Sequence, residues 1–354
     1  MIYDVIIVGA GPVGCRVGEL LGRDGVKVLI LEEHSEIGRP VQCAGLVSHR
    51  IFELCDVSKD VVVNRVKKAR FCTSKNYLEL KSKKIVYVIN REKFDKEMAK
   101  KAKSANTEIK TSKKFLGYKN GKFLRVKTDK EVFQTKLLVG ADGPNSTVAR
   151  IARIKLPNNR LTGIQTMVKS DYDPDSVELW FDTGVSPEFF GWVIPENKTQ
   201  ARVGLATKKN GVKCLDNFFL KRFNKRVKYI DVVGGTIRYG LIDNSVSDRM
   251  LLVGDAASQV KPFSGGGLVY GLICAEIAAK ACVKTLEEGI YGNDFLKEIY
   301  DGVWKKKLSM PIRKGLAMSQ IIHSFDSEQL GLLFSLFKKG KLTKLLEFTD
   351  MDLL

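Results

Sequence analysis

Apolar positions follow two rhythms along this 354-residue chain. Short unbroken runs, Val5 to Val8 and the stretch that ends at Glu32, have the length and β-branched content of strands buried on both faces of a parallel sheet. Lys136 to Gly143 is a second such run, closing on Gly and Asp, and Met250 to Asp255 is a third. From about Leu161 to Ala206 the rhythm changes. Short segments rich in Val, Phe, Trp and Thr alternate with turns such as Asp173-Pro174-Asp175 and Pro195-Glu196-Asn197, the pattern of an antiparallel sheet with one face against a ligand or core. An apolar helix is predicted from about Leu268 to Leu286. The tail from about Asn293 also reads as helical, with Leu, Ile and Phe at helical spacing between Ile321 and Phe337. That spacing fits a packing helix better than an amphipathic membrane contact.

The first strand runs into Gly9, Gly11 and Gly14 at G-x-G-x-x-G spacing, and a helix follows. Gly9 permits a tight turn, Gly11 lets backbone approach a pyrophosphate, and Gly14 lets the helix pack on the strand. The phosphate would sit on free N–H groups at the positive end of the helix. Glu32 ends the next strand, where a carboxylate accepts bonds from both ribose hydroxyls and repels a 2′-phosphate. A dinucleotide of the FAD or NAD type is therefore expected, rather than NADP. Strands of one parallel sheet present functional groups at their carboxyl ends, so Asp142 and Asp255 are expected to converge on the crevice that holds Gly9.

Size and composition set the remaining bounds. The length favours two joined units, and no low-complexity linker or repeat separates them, so they must interleave. No run of about 18 apolar residues exists and the chain opens on a strand, so neither a membrane span nor a signal peptide is expected, and the cytoplasm is the expected compartment. Seven cysteines without C-x-x-C and three dispersed histidines argue against a zinc site or disulfide framework. The formal charge of +19, with basic clusters at Lys81, Lys83 and Lys84, at Lys100, Lys101 and Lys103, at Lys305 to Lys307 and at Lys338 to Lys344, favours an anionic membrane surface or a small acidic electron carrier. A solvated lysine-rich surface is the plainer reading of any one cluster. No motif for nucleic-acid recognition accompanies the charge, so nucleic acid is not an expected partner.

Together, the motifs at Gly9, Asp142 and Asp255 resemble flavoproteins that share the para-hydroxybenzoate hydroxylase fold. The resemblance implies an α/β protein: a Rossmann-like FAD-binding domain of glutathione reductase-like type, interleaved with an antiparallel-sheet substrate domain and a short helical C-terminus. The corresponding expectation is residues 1–65, 88–155 and 247–290 for the FAD unit, 66–87 and 156–246 for the sheet unit, and 291–354 for the helical region. In that group the Gly-Asp of the third strand contacts the ribityl and phosphate part of FAD, which implies such a role for Asp255, and Asp142-Gly143 corresponds to the second fingerprint. Arg91 matches an arginine on the helix leading to the flavin; pairing with the pyrophosphate and a surface salt bridge with Asp95 are its two readings.

Two further segments resemble the geranylgeranyl reductases. Ile37 to Leu46, with Gln42-Cys43-Ala44-Gly45 at its centre, is similar to their cysteine-bearing loop. Phe190-Gly191-Trp192-Val193-Ile194-Pro195 is similar to their aromatic-x-Trp-x-Phe-Pro motif, with Ile194 in place of the usual phenylalanine. The loop lacks the arginine of Arg-Cys-Ala-Glu-Gly, so a contact made by that residue does not carry over. The resemblance implies FAD as cofactor, with Gly9, Gly11, Val13, Gly14, Glu32, Gln42, Cys43, Ala44, Arg91, Asp142, Gly143, Asp255, Gly266, Gly267 and Leu268 as its contacts and no metal. It implies an isoprenoid lipid substrate, with Cys43, Phe190 and Trp192 at the reacting centre.

Saturating an isolated alkene requires a hydride donor held face to face with the double bond and a proton for the other carbon, in a site that excludes water. Phe190 and Trp192 suit such a wall; sheet-core packing is their plainer role. Cys43 reads either as a thiol that tunes the cofactor or relays a proton, or as a small apolar side chain. The Ser264 to Gly267 glycines let backbone N–H groups and the start of the next helix favour a negatively charged reduced flavin. No second nucleotide fingerprint exists, so reduced ferredoxin or a transiently bound NAD(P)H is the expected donor. The competing readings are a monooxygenase of an aromatic or polyene substrate and a flavin-binding carrier.

Overall fold

The structure is a computed structural model in which residues 1–339 are described; Lys341, Lys344 and the rest of the C-terminal region to 354 lie outside them. Two eight-stranded sheets carry the fold. The first has the order Val246–Ser247, Met250–Leu252, Val132–Gly140, Ile2–Val8, Val28–Leu31, Glu108–Lys110, and the hairpin Phe115–Lys119 with Leu124–Thr128 joins it beside Val132–Gly140. Its central strands are the predicted apolar runs, and Val5 to Val8, Val28 to Leu31, Leu137 to Val139 and Met250 to Leu252 are buried in them. Register does the positioning. Val8 lies opposite both Leu31 and Gly140, and Gly140 lies opposite Leu252, so four neighbouring strands end level with one another. Gly9, Glu32, Asp142 and Asp255 accordingly leave the same edge of the sheet.

Helix Pro12–Arg23 packs between helices Arg91–Ser104 and Leu268–Glu288. Val13 occupies the space that Gly254 and Gly271 leave open; a Cβ on Gly271 would come within 2.6 Å of its Cγ2. The first turns of helices 12–23 and 268–288 therefore lie side by side.

The second sheet runs Val233–Arg238, Arg160–Lys169, Gln200–Thr207, Gly191–Pro195, Ser176–Trp180, Val62–Cys72, Tyr77–Ile89, Leu46–Ser48. It is antiparallel with one exception: Ser176–Trp180 runs parallel to Val62–Cys72. The expected limits at 65/66 and 87/88 fall inside the strands Val62–Cys72 and Tyr77–Ile89, and Leu46–Ser48 pairs into this sheet through Val88. Alternation of side chains gives the sheet two different faces. Val193, Val203 and Leu205 meet helix Gly211–Phe223 in one cluster, while Phe190, Trp192 and Ile194 enter another. The C-terminal helices close that second cluster: Ile322, Phe325, Leu330 and Leu333 pack into it, and helix Ser327–Lys339 is tied to the sheet by Asn76 Nδ2 donating to Ser335 Oγ at 2.7 Å. Ile321 to Phe337 thus packs through part of its apolar residues, while Ile321, Leu332 and Leu336 are exposed.

Candidate active site

At the level edge of the first sheet Gly9 has φ +103°, and a Cβ there would strike the Ala141 carbonyl oxygen at 2.4 Å, so only glycine fits the turn. Gly11 differs: a Cβ would meet nothing within 4 Å, and no side chain caps the helix that it begins. Helix Leu268–Glu288 also starts without a side-chain cap, at Gly267. Two adjacent helix starts thus offer backbone donors to one region, an arrangement suited to a pyrophosphate. Glu32 stands at the neighbouring strand end, held by Ala10 N at 2.9 Å on one carboxylate oxygen and by the His34 backbone N at 2.9 Å and ring Nδ1 at 2.8 Å on the other. Oε2, which accepts from Ala10 N alone, keeps acceptor capacity for ribose hydroxyls. These features fit FAD.

Asp142 is at the expected edge, yet both its oxygens serve the fold: Ser146 Oγ donates at 2.6 Å and Val148 N at 3.0 Å, which anchors helix Thr147–Ile151. Burial pushes its carboxyl above the usual range against these bonds. Gly143 follows with φ +75° and open space where a Cβ would lie. Asp255 sits under the glycine-rich loop. Burial raises its carboxyl too, opposed by the charge of Arg91.

Arg91 makes a buried, two-pronged pair with Asp95, Nε to Oδ1 and Nη2 to Oδ2 both at 3.1 Å, rather than a surface salt bridge. Burial opposes its charge, but Asp95 and then Cys43 outweigh this and hold it above the ordinary arginine value. The cysteine loop is clamped from the other sheet. Arg202 Nη1 donates to the Ala44 carbonyl at 2.7 Å and the Ile89 carbonyl at 3.0 Å. Gln165, invisible in the sequence as a site residue, donates through Nε2 to the Cys43 carbonyl at 3.3 Å and accepts from Trp192 Nε1 at 3.1 Å. The two family-like motifs are joined through this one amide.

Beneath them lies a cavity of about 340 Å³ lined by Gln42, Cys43, Phe71, Phe190, Trp192, Lys261 and Gly266 among others. Its walls are chiefly apolar, and Phe189 and Phe190 stack with ring centres 4.2 Å apart beside it. Lys261, also unmarked in the sequence reading, is a buried lysine in this lining. It explains part of the glycine loop: a Cβ on Gly266 would approach Lys261 Cε at 3.1 Å, and one on Gly267 would strike Asp255 Oδ1 at 2.3 Å. Gly267 is thus required by packing against Asp255, while Gly266 sits in tight contact with the end of the Lys261 side chain. Leu268 opens the following helix. Gln42, Cys43 and Ala44 line the cavity, whereas the Val13 side chain is used for helix packing. Among the described residues no cluster of His, Cys, Asp or Glu could hold a metal ion.

Comparison with known proteins places this geometry. A family model described as FAD binding domain matches residues 2–227. An uncharacterised protein of Methanocaldococcus jannaschii is 33% identical over 99% of this chain and 92% of its own. A digeranylgeranylglycerophospholipid reductase of Methanothermobacter thermautotrophicus is 28% identical over 94% and 91% respectively. Among solved structures, a geranylgeranyl bacteriochlorophyll reductase-like protein of Thermoplasma acidophilum superposes with a TM-score of 0.87 at 24% identity, covering 99% of this chain and 93% of that one. The p-nitrophenol 4-monooxygenase of Pseudomonas putida shares the fold at a TM-score of 0.77 and 17% identity, with 99% and 98% covered. With the family model spanning well over half its length, the chain belongs to the FAD-binding domain family, and FAD is its cofactor.

Proposed function

We propose that this flavoprotein saturates carbon–carbon double bonds of geranylgeranyl chains, on precursors of archaeal-type ether lipids. The observation that carries the reading is the apolar cavity that joins the Cys43 loop, the Trp192 motif and the Ser264 to Gly266 loop in one space. Relatives bearing the name digeranylgeranylglycerophospholipid reductase support it. In this reading Gly9, Gly11, Gly14, Glu32, Arg91, Asp255, Gly266 and Gly267 hold FAD, which when bound and reduced supplies the hydride. Phe190 and Trp192 press the isoprenoid chain into a fixed pose and exclude water. Gln165 fixes the Trp192 ring against the cysteine loop. Cys43, held near Arg91, stands where a proton can be passed to substrate. Reduced ferredoxin or NAD(P)H is the proposed donor, and an anionic membrane surface the proposed place of work; among the described residues no helix is long and apolar enough to cross a membrane.

The test is anaerobic. The protein is reduced, a geranylgeranylated glycerolipid is added, and product mass is followed with the flavin spectrum. A gain of two hydrogens with flavin reoxidation is expected. Unchanged mass under those conditions, with oxygen incorporated into an aromatic or polyene substrate once air is admitted, would instead make it a monooxygenase, as the shared fold allows.

A further inference from the structure

Among the described residues that line the apolar cavity, Lys261 is a charged side chain held inside the fold. It is 6% exposed and shares the space with Cys43, Trp192 and the Ser264 to Gly266 loop. The backbone around it closes into a ring: Lys261 N donates to the Gly266 carbonyl at 3.1 Å, and Gly265 N donates to the Lys261 carbonyl at 2.9 Å. Gly265 turns the corner at φ +69°, where a Cβ would press on Ile237 Cδ1 and Phe189 Cζ, each at 3.3 Å. The side chain then lies along its own loop, so that the place a Gly266 Cβ would take is 3.1 Å from Lys261 Cε and 3.6 Å from Nζ. The amine is thereby kept at the glycine loop, whereas a lysine ordinarily carries its head out to water.

The loop leads directly into helix Leu268–Glu288, which starts at Gly267 without a side-chain cap, so the amine and the positive end of that helix adjoin. Asp255 lies against Gly267, one residue further on, and Arg91, the other buried cation near the cysteine loop, is matched by its two-pronged pair with Asp95. Walls of low polarity screen a charge poorly. A cation in such a wall acts on whatever binds in the cavity several times more strongly than it would across water.

We infer that Lys261 sets the reduction potential of the bound FAD, by favouring the anionic form of the two-electron-reduced flavin. Oxidised FAD that takes up two electrons and one proton becomes an anion, and with a second proton it is neutral. A fixed positive charge in the same space favours the anion and lets the flavin accept electrons from a weaker donor, whether a one-electron iron–sulfur carrier or a nicotinamide. The inference rests on FAD and on the cavity, not on the lipid reading, and it needs only the charge of Lys261 and its place.

Reductive titration of the FAD-saturated protein against dyes of known potential, with no lipid present, tests it. The wild type is compared with Lys261→Met, which keeps an unbranched stem and removes the charge, with Lys261→Arg, which keeps the charge, and with Lys67→Met, which removes an exposed lysine of the same lining. At a fixed potential and neutral pH, the ratio of reduced to oxidised flavin should fall roughly 10- to 100-fold in Lys261→Met, a midpoint about 30 to 60 mV lower for a two-electron couple. The spectrum of the reduced flavin should shift from the anionic toward the neutral form in the same variant. Lys261→Arg should stay within about threefold of the wild type, and Lys67→Met should match it, because an exposed charge is screened. A wild-type midpoint in FAD-loaded Lys261→Met would overturn the inference, and so would an equal shift in Lys67→Met, which would assign the effect to the overall charge. If a variant fails to hold FAD, the wild type decides: an anionic reduced flavin at neutral pH supports the inference and a neutral one overturns it. A lowered midpoint in Lys261→Met, in a protein that saturates no alkene, would uphold the role of Lys261 and overturn the reductase.

Discussion

Gln165 shows what a single amide can do for a site. On its strand it is a polar residue in an alternating segment, which from sequence alone reads as facing water. In the fold it is buried, and it ties Trp192 to the Cys43 carbonyl. Replacing it with leucine should leave FAD bound, since none of the proposed FAD contacts changes, while kcat for lipid reduction falls by about tenfold because ring and loop lose their common anchor. Gln165→Glu should restore part of the rate by accepting from Trp192 alone. A leucine variant with wild-type kcat would leave Gln165 a merely structural group. Glycines at strand ends and Glu32 were legible because chemistry at those points demands particular residue types, whereas the cysteine loop was legible only through its resemblance to the geranylgeranyl reductases. Gln165 and Lys261 were not, because what makes them interesting is contact with the Cys43 carbonyl 122 positions away in the first case and with the underside of a loop in the second.

At the scale of elements, the continuous apolar runs predicted the first sheet well, since strands buried on both faces have no polar alternation to confuse them. The parallel pairing of Ser176–Trp180 with Val62–Cys72 could not be read in the same way: the two segments are separated by a hairpin, a crossover and much of the first sheet, and only hydrogen-bond register joins them. The C-terminal helices illustrate a third case. Helix Gly302–Ser324 carries His323 into the aromatic cluster, beside Phe181 and Phe189, where its Nε2 has no hydrogen-bond partner. Burial lowers its pKa, opposed by the charge of Glu188. The neutral ring is therefore the folded form, while the unfolded chain takes up a proton near the ordinary histidine value of about 6.5. Stability contributed by this group is complete above that value and is lost as pH falls from it toward the depressed folded value. Thermal unfolding followed across pH 5 to 7.5 should show a slope that His323→Phe reduces; an identical slope in the variant would mean that His323 does not titrate with folding.

For the molecule as a whole, charge and topology act separately. The +19 formal charge is spread over both sheets and the terminal helices, so it makes a field rather than a site. Association with vesicles containing anionic lipid should therefore weaken progressively between 0.05 and 1 M salt, as the screening length shrinks from about 14 Å to about 3 Å. Sedimentation with neutral and anionic vesicles would measure this, and binding that ignores both salt and lipid charge would remove the proposed membrane role. The expected limits at 65/66 and 87/88 fall inside strands, because the chain passes between the two sheets several times through short loops and helices that no change of composition marks.

The level ends of four strands have a further consequence for how the protein is made. Two of those strands belong to the first 31 residues, but the neighbour Met250–Leu252 and the helix Leu268–Glu288 that completes the paired helix starts come from far later in the chain. A nascent polypeptide can form the glycine turn early and still present only half a grip. Cofactor capture is accordingly expected to be a late event, and a product truncated before Leu268, purified and scanned in the visible range, should carry no flavin.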